Sequence, residues 1–537
     1  MVCQTRFYYW FLLVFFSIFN LWRSPKVMAA EKISFRYGLI EFGLPVDSLE
    51  HYAKTGQSDR YLDIYFKYAK AEDSSKLQEL VNYSVKIDRV KIYRFFNSYL
   101  GEKILLNAGN LIQPHPSQNG LYSLRSALIT AAGEPEGLSL LNFLRHFPAK
   151  TVYINGQNTL QFAYTFIGLK EQTQQAIAKI RQQTNLEAKK ELKIDYTQQL
   201  DIRKPATHPW KRKTIFVKDT ARNRSFSAYL YRPKTEKLLS TLILSPGLGS
   251  DSNNFNYLAQ HLVSYGFPVL IINHPGSDIL RLRQFLKGLK KEIVEPHEFI
   301  DRPKDVSFLL DELQRRQVEN SDPDLDLDLQ QVGIIGHSFG AYTALVLAGA
   351  ELNLAGLQQA CQEEAIAAKS FNISLILQCM AADLPPDTSD RLVDTRIKAA
   401  LALNPMNSLI FGKQGMSKIA IPTALVGGSD DLVTPALTEQ IIPFKWIEHP
   451  DKHLFIIEKG AHTYADMDHT KLDTQKSVVN FEELKIYEDY FKAITLAFMQ
   501  CYVVQNDNYR SYLKHNYTKA ISQEPLILNL VNSLQED

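Results

Sequence analysis

The chain has 537 residues, of which 45% are hydrophobic and 22% are charged, and its net charge is +2. This is the composition of a globular protein, and the length predicts two or three domains because a single core stops growing near about 300 residues. The small net charge and the lack of a basic block argue against a nucleic-acid partner, and no common metal-ligand spacing is present, so neither a metal nor a cofactor is predicted.

The first 30 residues are predicted to be a signal peptide. A short start with one positive residue precedes an apolar run over residues 7–21, and a cleavage site is predicted after Ala29 or Ala30. Arg23 and Lys26 are unusual just before such a site, so an uncleaved membrane anchor is the alternative. The protein is therefore expected to be exported to the periplasm or the outside of the cell.

Residues 31–147 are predicted to form a small all-helical domain, because apolar side chains recur there at helical spacing. One such stripe is formed by Leu62, Tyr65, Phe66 and Ala69. Residues 148–209 are interpreted as a linker with a charged helical segment. The domain is rich in Tyr, Phe and Leu, and we expect its surplus apolar side chains to cover an active-site mouth or to contact a membrane surface peripherally.

In residues 210–537, short apolar runs alternate with helical stretches. Two strands around a polar turn come first, and the later runs are STLILS, FPVLIIN, VGIIG, IKAALAL, PTALVGG and HLFIIEKG. Strands that are apolar throughout, with helices between them, predict a mostly parallel sheet with helices on both faces. An insertion at about residues 351–395 is predicted to form a cap.

Ser338 lies in VGIIGHSFGAYTALVLAGA, between a β-branched run and a helix-forming segment. The pattern G-x-S-x-G predicts a nucleophile elbow, in which Gly336 and Gly340 avoid a collision at a sharp strand–turn–helix junction. A structural serine in a tight turn is the alternative. We interpret Ser338 as a nucleophile.

A nucleophilic serine needs a histidine as base and a carboxylate that orients the histidine. His462 follows the run HLFIIEKG, and Asp430 and Asp431 follow PTALVGGS, which is the chain order serine, acid, histidine expected for such a sheet. Asp431 is the predicted acid because it begins the sequence D-x-x-T-P, and Asp430 is the alternative.

The oxyanion-binding loop is predicted directly after the first parallel strand. Gly247, Leu248 and Gly249 follow STLILSP, and loop glycines let a backbone N–H turn toward the reacting atom. The predicted oxyanion donors are the amides of Leu248 and of Phe339, the residue after the nucleophile. A simple tight turn is the alternative for this loop.

Taken together, the motifs GHSFG and GLG resemble those of α/β-hydrolases, and in particular those of the platelet-activating factor acetylhydrolase and predicted dienelactone hydrolase group. The segments NGLYSLRSALITAAGEPEGLSLLNFLRHFP and RPKDVSFLLDEL are similar to those of exported cyanobacterial hydrolases with an uncharacterised N-terminal helical domain. The sequence departs from the resemblance twice: Pro246 replaces a usual histidine, and Asn404 stands where acetylhydrolases of this group carry their acid.

Removal of the leader leaves three cysteines in an oxidising compartment. Cys361 and Cys379 lie in the insertion and are predicted to form a disulfide, with two buried thiols as the alternative.

The predicted function is hydrolysis of carboxylic esters through an acyl-enzyme, and the resemblance favours a short acyl group on a lipid-like alcohol. A lactone hydrolase and an acyltransferase would use the same residues. A degenerate hydrolase fold that only binds ligands is the alternative from another class.

Overall fold

We describe the fold from a computed structural model of the chain, in which residues 29–67, 71–235, 238–320, 322–362, 372–385, 388, 392–463 and 480–534 are described. Residues 1–28 of the predicted leader lie outside these residues. Within the described residues, no helix is both long enough and apolar enough to span a bilayer. The contacts between residues divide the chain into two units, the first ending at Tyr164 and the second beginning at Thr165.

The first unit combines helices with a small sheet. Its strands are β1 (Lys32–Tyr37), β2 (Ile40–Pro45), β3 (Ser84–Val85), β4 (Ile112–Gln113), β5 (Leu138–Ser139) and β6 (Thr151–Asn155). Its helices are α1 (Val46–Thr55), α2 (Arg60–Phe66), α3 (Ala71–Asn82), α4 (Arg89–Phe96), α5 (Tyr99–Gly109), α6 (Leu121–Ala131) and α7 (Leu140–Arg145), and α8 (Gly156–Lys190) crosses into the second unit.

The prediction of an all-helical first domain is wrong. Four strands form a sheet in the order β2-β1-β6-β4, and β6 comes from the segment predicted as a linker. The sequence of β1, KISFRY, alternates polar and apolar residues, which is the period of a strand and not of a helix. The unit also extends to Tyr164, beyond the predicted boundary at residue 147.

The second unit is built on a nine-stranded sheet in the order β15-β14-β13-β12-β11-β9-β10-β8-β7. Its strands are β7 (Trp210–Asp219), β8 (Arg224–Pro233), β9 (Leu242–Ser245), β10 (Val269–Ile272), β11 (Val332–His337), β12 (Ile397–Leu403), β13 (Thr423–Gly428), β14 (Lys452–Ile457) and β15 (Leu528–Val531). The six strands β9 to β14 run parallel, and β7, β8 and β15 pair antiparallel at the two edges.

Helices cover both faces of this sheet. They are α9 (Asn256–Ser264), α10 (Ile279–Leu286), α11 (Glu298–Val318), α12 (Phe339–Leu347), α13 (Leu354–Gln362), α14 (Ile373–Cys379), α15 (Ser408–Met416), α16 (Ile442–Trp446), α17 (Phe481–Tyr502) and α18 (His515–Ile521). α9 and α17 pack together on one face, whereas α11 packs with α12 on the other. The predicted mostly parallel sheet between two helical layers is confirmed for this unit.

The order of the strands positions the functional site. β9 and β11 are neighbours, but the chain leaves β9 toward β10 on one side and leaves β11 toward β12 on the other. At such a switch point the connecting segments diverge and leave a crevice beyond the carboxyl ends of the strands. Gly247 and Ser338, which follow β9 and β11, therefore lie at the same end of the sheet.

Candidate active site

Ser338 occupies a strained turn between β11 and α12. Its backbone has φ 54° and ψ −116°, in a region that side chains with a Cβ rarely adopt. The turn has no space for a side chain at position 336 or 340. A Cβ on Gly340 would lie 1.8 Å from the carbonyl oxygen of Ser245, and a Cβ on Gly336 would lie 2.0 Å from the carbonyl oxygen of Gly340. The predicted nucleophile thus stands in a sharp strand–turn–helix junction.

Asp431 and His462 are in direct contact. The Nδ1 of His462 lies 2.7 Å from Oδ2 of Asp431, which also accepts from the hydroxyl of Thr434 at 2.6 Å. The other carboxylate oxygen accepts from the amides of Val433 and Thr434, both at 2.8 Å. A histidine that donates through Nδ1 keeps Nε2 free to take a proton, which is the geometry of a general base.

The surroundings of Asp431 keep its carboxyl ionised. Burial of the side chain raises the pKa of Asp431, but the hydrogen bond and the charge of His462, with the donors from Thr434, outweigh burial and hold the pKa below its usual range. Asp430, the alternative acid, is exposed and receives a hydrogen bond from the neighbouring Ser429 at 2.7 Å. The geometry therefore places Asp431, and not Asp430, against the histidine.

Asn404 contacts the same carboxylate. Its Nδ2 donates to Oδ2 of Asp431 at 2.7 Å, and its backbone is left-handed, with φ 47°. The residue is fully buried at the end of β12, the neighbour of the strand that carries Ser338. The side-chain amide of Asn404 thus donates to the carboxylate of Asp431, which follows the next strand, β13.

The loop with the predicted oxyanion donors lies beside the nucleophile. A Cβ on Gly247 would lie 3.3 Å from the Cβ of Ser338, and the amide of Gly249 donates to the carbonyl of Ser277 at 2.7 Å. Within the described chain, the amides of Leu248 and Phe339 donate to no backbone carbonyl, and Phe339 begins α12, so its N–H has no partner in its own helix. Both amides are available to a ligand oxygen.

His337, which precedes the nucleophile, was not singled out from the sequence. Its ring lies 4.9 Å from that of His462, and its Nε2 donates to the carbonyl of His462 at 3.2 Å. Burial, with the nearby His462, lowers the pKa of His337 to about 3, so the ring is neutral and can donate from one nitrogen only. The only sequence signal was its place in G-x-S-x-G.

The described residues contain no hydrogen bond between the hydroxyl of Ser338 and His462. Contacts between nucleophile and base are often long in unliganded hydrolases and shorten when a substrate binds. A separate cleft of about 660 Å³ is lined by residues that include Tyr229, Asp251 and Ile279. Ser338, Asp431 and His462 do not line this cleft, and we assign no substrate group to it.

A disulfide joins the two helices of the insertion. Cys361 in α13 is bonded to Cys379 in α14, and their Cα atoms are 5.6 Å apart. The neighbouring Gln378 accepts hydrogen bonds from the amides of Leu409 and Ile410 in α15, at 2.8 and 2.9 Å. The bridged segment is thereby attached to the helix that follows β12. Cys501 is buried and is not in a disulfide.

Residues 29–155 match a family described as "Alpha/beta hydrolase of unknown function (DUF1400)". The description of this family agrees with the nine-stranded sheet and with the position of Ser338 at its switch point. The second unit has the α/β-hydrolase fold. The matched residues belong to the first unit, whereas the predicted site lies in the second unit. No curated protein matches the chain.

The first prediction concerns the acid. Ser338→Ala and His462→Ala should each lower kcat for ester hydrolysis by roughly 10⁴, and Asp431→Asn should cost nearly as much, because the members of a triad act as a unit. Asp430→Asn is the matched control and should change kcat little. Steady-state kinetics on one soluble ester measure all four variants, and a large loss in Asp430→Asn with none in Asp431→Asn would show that the acid is misassigned.

The second prediction concerns the disulfide. The bridge closes a loop of 18 residues, which stabilises the folded chain by roughly 3 kcal/mol in the chain-entropy model. Alkylation of the denatured, unreduced protein should leave Cys361 and Cys379 unmodified and should label Cys501. Reductant should lower the denaturant midpoint of the unsubstituted protein but not that of the Cys361→Ser/Cys379→Ser variant. Labelling of all three cysteines without reductant would refute the bridge.

Proposed function

We propose that the protein is a serine hydrolase that cleaves carboxylic esters. The observation that carries the proposal is the contact of 2.7 Å between His462 and Asp431, made at the same end of the sheet as the strained turn of Ser338. A buried, ionised carboxylate that orients an imidazole makes the imidazole a suitable base for a serine nucleophile. The roles are nucleophile for Ser338, base for His462 and orienting acid for Asp431.

In this proposal the reaction has two steps. His462 Nε2 takes the hydroxyl proton of Ser338 as Oγ bonds to the ester carbonyl carbon, and the negative charge on the carbonyl oxygen is stabilised by the amides of Leu248 and Phe339. Breaking the bond to the leaving oxygen releases the alcohol, which receives the proton from His462. Water then attacks the acyl-enzyme with the same base and returns the free serine and a carboxylic acid.

The proposed substrate is a short acyl ester of a lipid-like alcohol. This choice is supported by the resemblance of GHSFG and GLG to the platelet-activating factor acetylhydrolase and dienelactone hydrolase group. A lactone hydrolase is the alternative if the alcohol and acyl parts belong to one ring, and an acyltransferase is the alternative if an alcohol replaces water in the second step.

The third prediction tests the chemistry. A fluorophosphonate probe should label Ser338 and should not label the Ser338→Ala variant, because only an activated serine attacks the phosphorus atom. In a series of p-nitrophenyl esters, kcat/KM should be highest for the shortest acyl chains.

Each alternative predicts a different result in the same assay. Absence of labelling in folded protein would favour a ligand-binding module. A new ester as the main product in the presence of an added alcohol would favour an acyltransferase, and turnover of lactones alone would favour a lactone hydrolase.

We further propose that the first unit contacts a lipid surface through the hairpin of β1 and β2. The antiparallel register pairs Tyr37 with Ile40 and Phe35 with Phe42, which puts these four side chains on one face of the ribbon. At least half of the surface of each of Tyr37, Ile40 and Phe42 is exposed, and Leu39 at the tip is fully exposed. Apolar side chains at the end of a hairpin can be buried in the headgroup region of a membrane.

The fourth prediction tests this contact. Leu39→Asp/Ile40→Asp should reduce co-sedimentation with phosphatidylcholine vesicles and leave hydrolysis of a small soluble ester unchanged. Leu289→Asp, a change at an exposed leucine of the second unit, is the control and should not reduce co-sedimentation. Equal vesicle binding by both variants and by the unsubstituted protein would refute the proposal.

A further inference from the structure

Arg302, in α11, is the largest fully buried side chain among the described residues. Arginine is almost never fully buried unless its donors are satisfied, since removal of the charge from water is costly. Burial lowers the pKa of Arg302 to about 10, so the guanidinium still carries its charge at neutral pH. A residue of this kind must have partners that hold it in a fixed place.

The partners of Arg302 lie on both sides of the oxyanion hole. On one side, Nη2 donates to the backbone carbonyl of Pro246 and, at 3.2 Å, to the hydroxyl of Ser245. On the other side, Nε donates to the hydroxyl of Thr343 in α12 at 3.1 Å, and the guanidinium carbon lies 4.7 Å from the centre of the Phe339 ring.

The loop residue Pro246 explains why the first contact matters. Proline has no backbone N–H, so its carbonyl is the one group through which it can be hydrogen bonded. That carbonyl precedes Gly247 and lies two residues before Leu248, whose amide is a predicted oxyanion donor. Holding the carbonyl of Pro246 therefore limits the rotation of the peptide planes that lead to Leu248.

Two buried carboxylates are linked to Arg302 through intervening side chains and not directly. Arg302 Nη1 donates to Ser277 at 2.8 Å, and the Ser277 hydroxyl donates to Glu298 at 3.1 Å. The hydroxyl oxygen of Ser245 lies 3.1 Å from Nε2 of His274, and Nδ1 of His274 lies 3.1 Å from Oδ2 of Asp305.

The guanidinium is therefore hydrogen bonded to the oxyanion loop, to α12 and to Ser277. Its charge is compensated from a distance by these two carboxylates, so no direct ion pair draws the side chain away from the loop.

We propose that Arg302 is a positioning residue that holds the amides of Leu248 and Phe339 in register as an oxyanion hole, an inference that rests on the proposed ester hydrolysis. The planar fork reaches the loop after β9 and the start of α12 at once, which an ammonium group on a flexible chain does not do. Arg302 touches neither the nucleophile nor the base in this arrangement. It acts through the backbone of Pro246 and through the helix that carries Phe339.

The fifth prediction uses a substrate pair that reports on the oxyanion hole. A thionoester carries sulfur, a weak hydrogen-bond acceptor, in place of the carbonyl oxygen of the matching ester. Arg302→Lys should lower kcat for the ester by about 10², as loss of an oxyanion donor does, with little change in KM. The thionoester should lose much less, so the ratio of the two rates should fall by a similar factor.

Arg396→Lys is the matched control. Arg396 is also a largely buried arginine with several hydrogen bonds, but it lies at the start of β12, at the opposite end of the sheet from the site. Its substitution should leave the rate ratio unchanged. A loss of folded protein lowers both rates equally and does not move the ratio, which separates positioning from general stability.

An unchanged ratio in Arg302→Lys protein, with active sites counted by the fluorophosphonate probe, would overturn the inference. If that variant does not fold, Thr343→Val decides: it removes the acceptor of Nε and should reduce the ratio by about fivefold, and no reduction would overturn the inference. Failure of the proposed function has a different signature, namely no labelling and no ester turnover in the unsubstituted protein.

Discussion

The positive φ of Ser338 is the constraint on which the arrangement of the site depends. Non-glycine residues resist this conformation, so the surroundings must impose it. The amide of Ser338 donates to the carbonyl of Leu403 at the end of β12, and Gly340 packs directly against the carbonyl of Ser245 at the end of β9. The two strands that flank β11 thus fix the turn from both sides. The same contacts bring the oxyanion loop and Asn404 to within reach of the serine.

Two buried charges of opposite sign are stabilised in different ways around this turn. Asp431 is surrounded by donors, two of them backbone amides of its own loop, and one of its bonds goes to His462, which would become a cation in the first chemical step. Arg302 is surrounded by neutral oxygens. The carboxylate gains an ionic partner during the proposed reaction, whereas the guanidinium keeps the same partners throughout. The arrangement around Asp431 suits a group that stabilises a cation formed during the reaction, and the arrangement around Arg302 suits a fixed support.

The sequence was informative where a local pattern determines the structure. Each apolar run of the second unit became a strand, because a buried parallel strand is apolar throughout, and Ser338, Asp431 and His462 could be located because each directly follows such a run. β1 was missed although its alternation was visible, since the neighbouring helical stripes dominated the interpretation. Arg302 could not be predicted, because its partners Ser245 and Thr343 are 57 and 41 residues away in the chain and only the packing of α11 on α12 brings them together.

The edge strand β15 links the last part of the chain to the site. β14, which leads to His462, has β13 on one side and β15 on the other, and the carbonyl of Leu530 in β15 also accepts a hydrogen bond from Thr184 in α8. During synthesis, residues 528–531 leave the ribosome after every triad residue has been made. Until they pair, the outer edge of β14 exposes unpaired backbone groups, which are a template for aggregation. The sheet that supports the histidine is therefore completed only after residues 528–531 have been made, so this unit cannot finish folding while its earlier strands leave the ribosome.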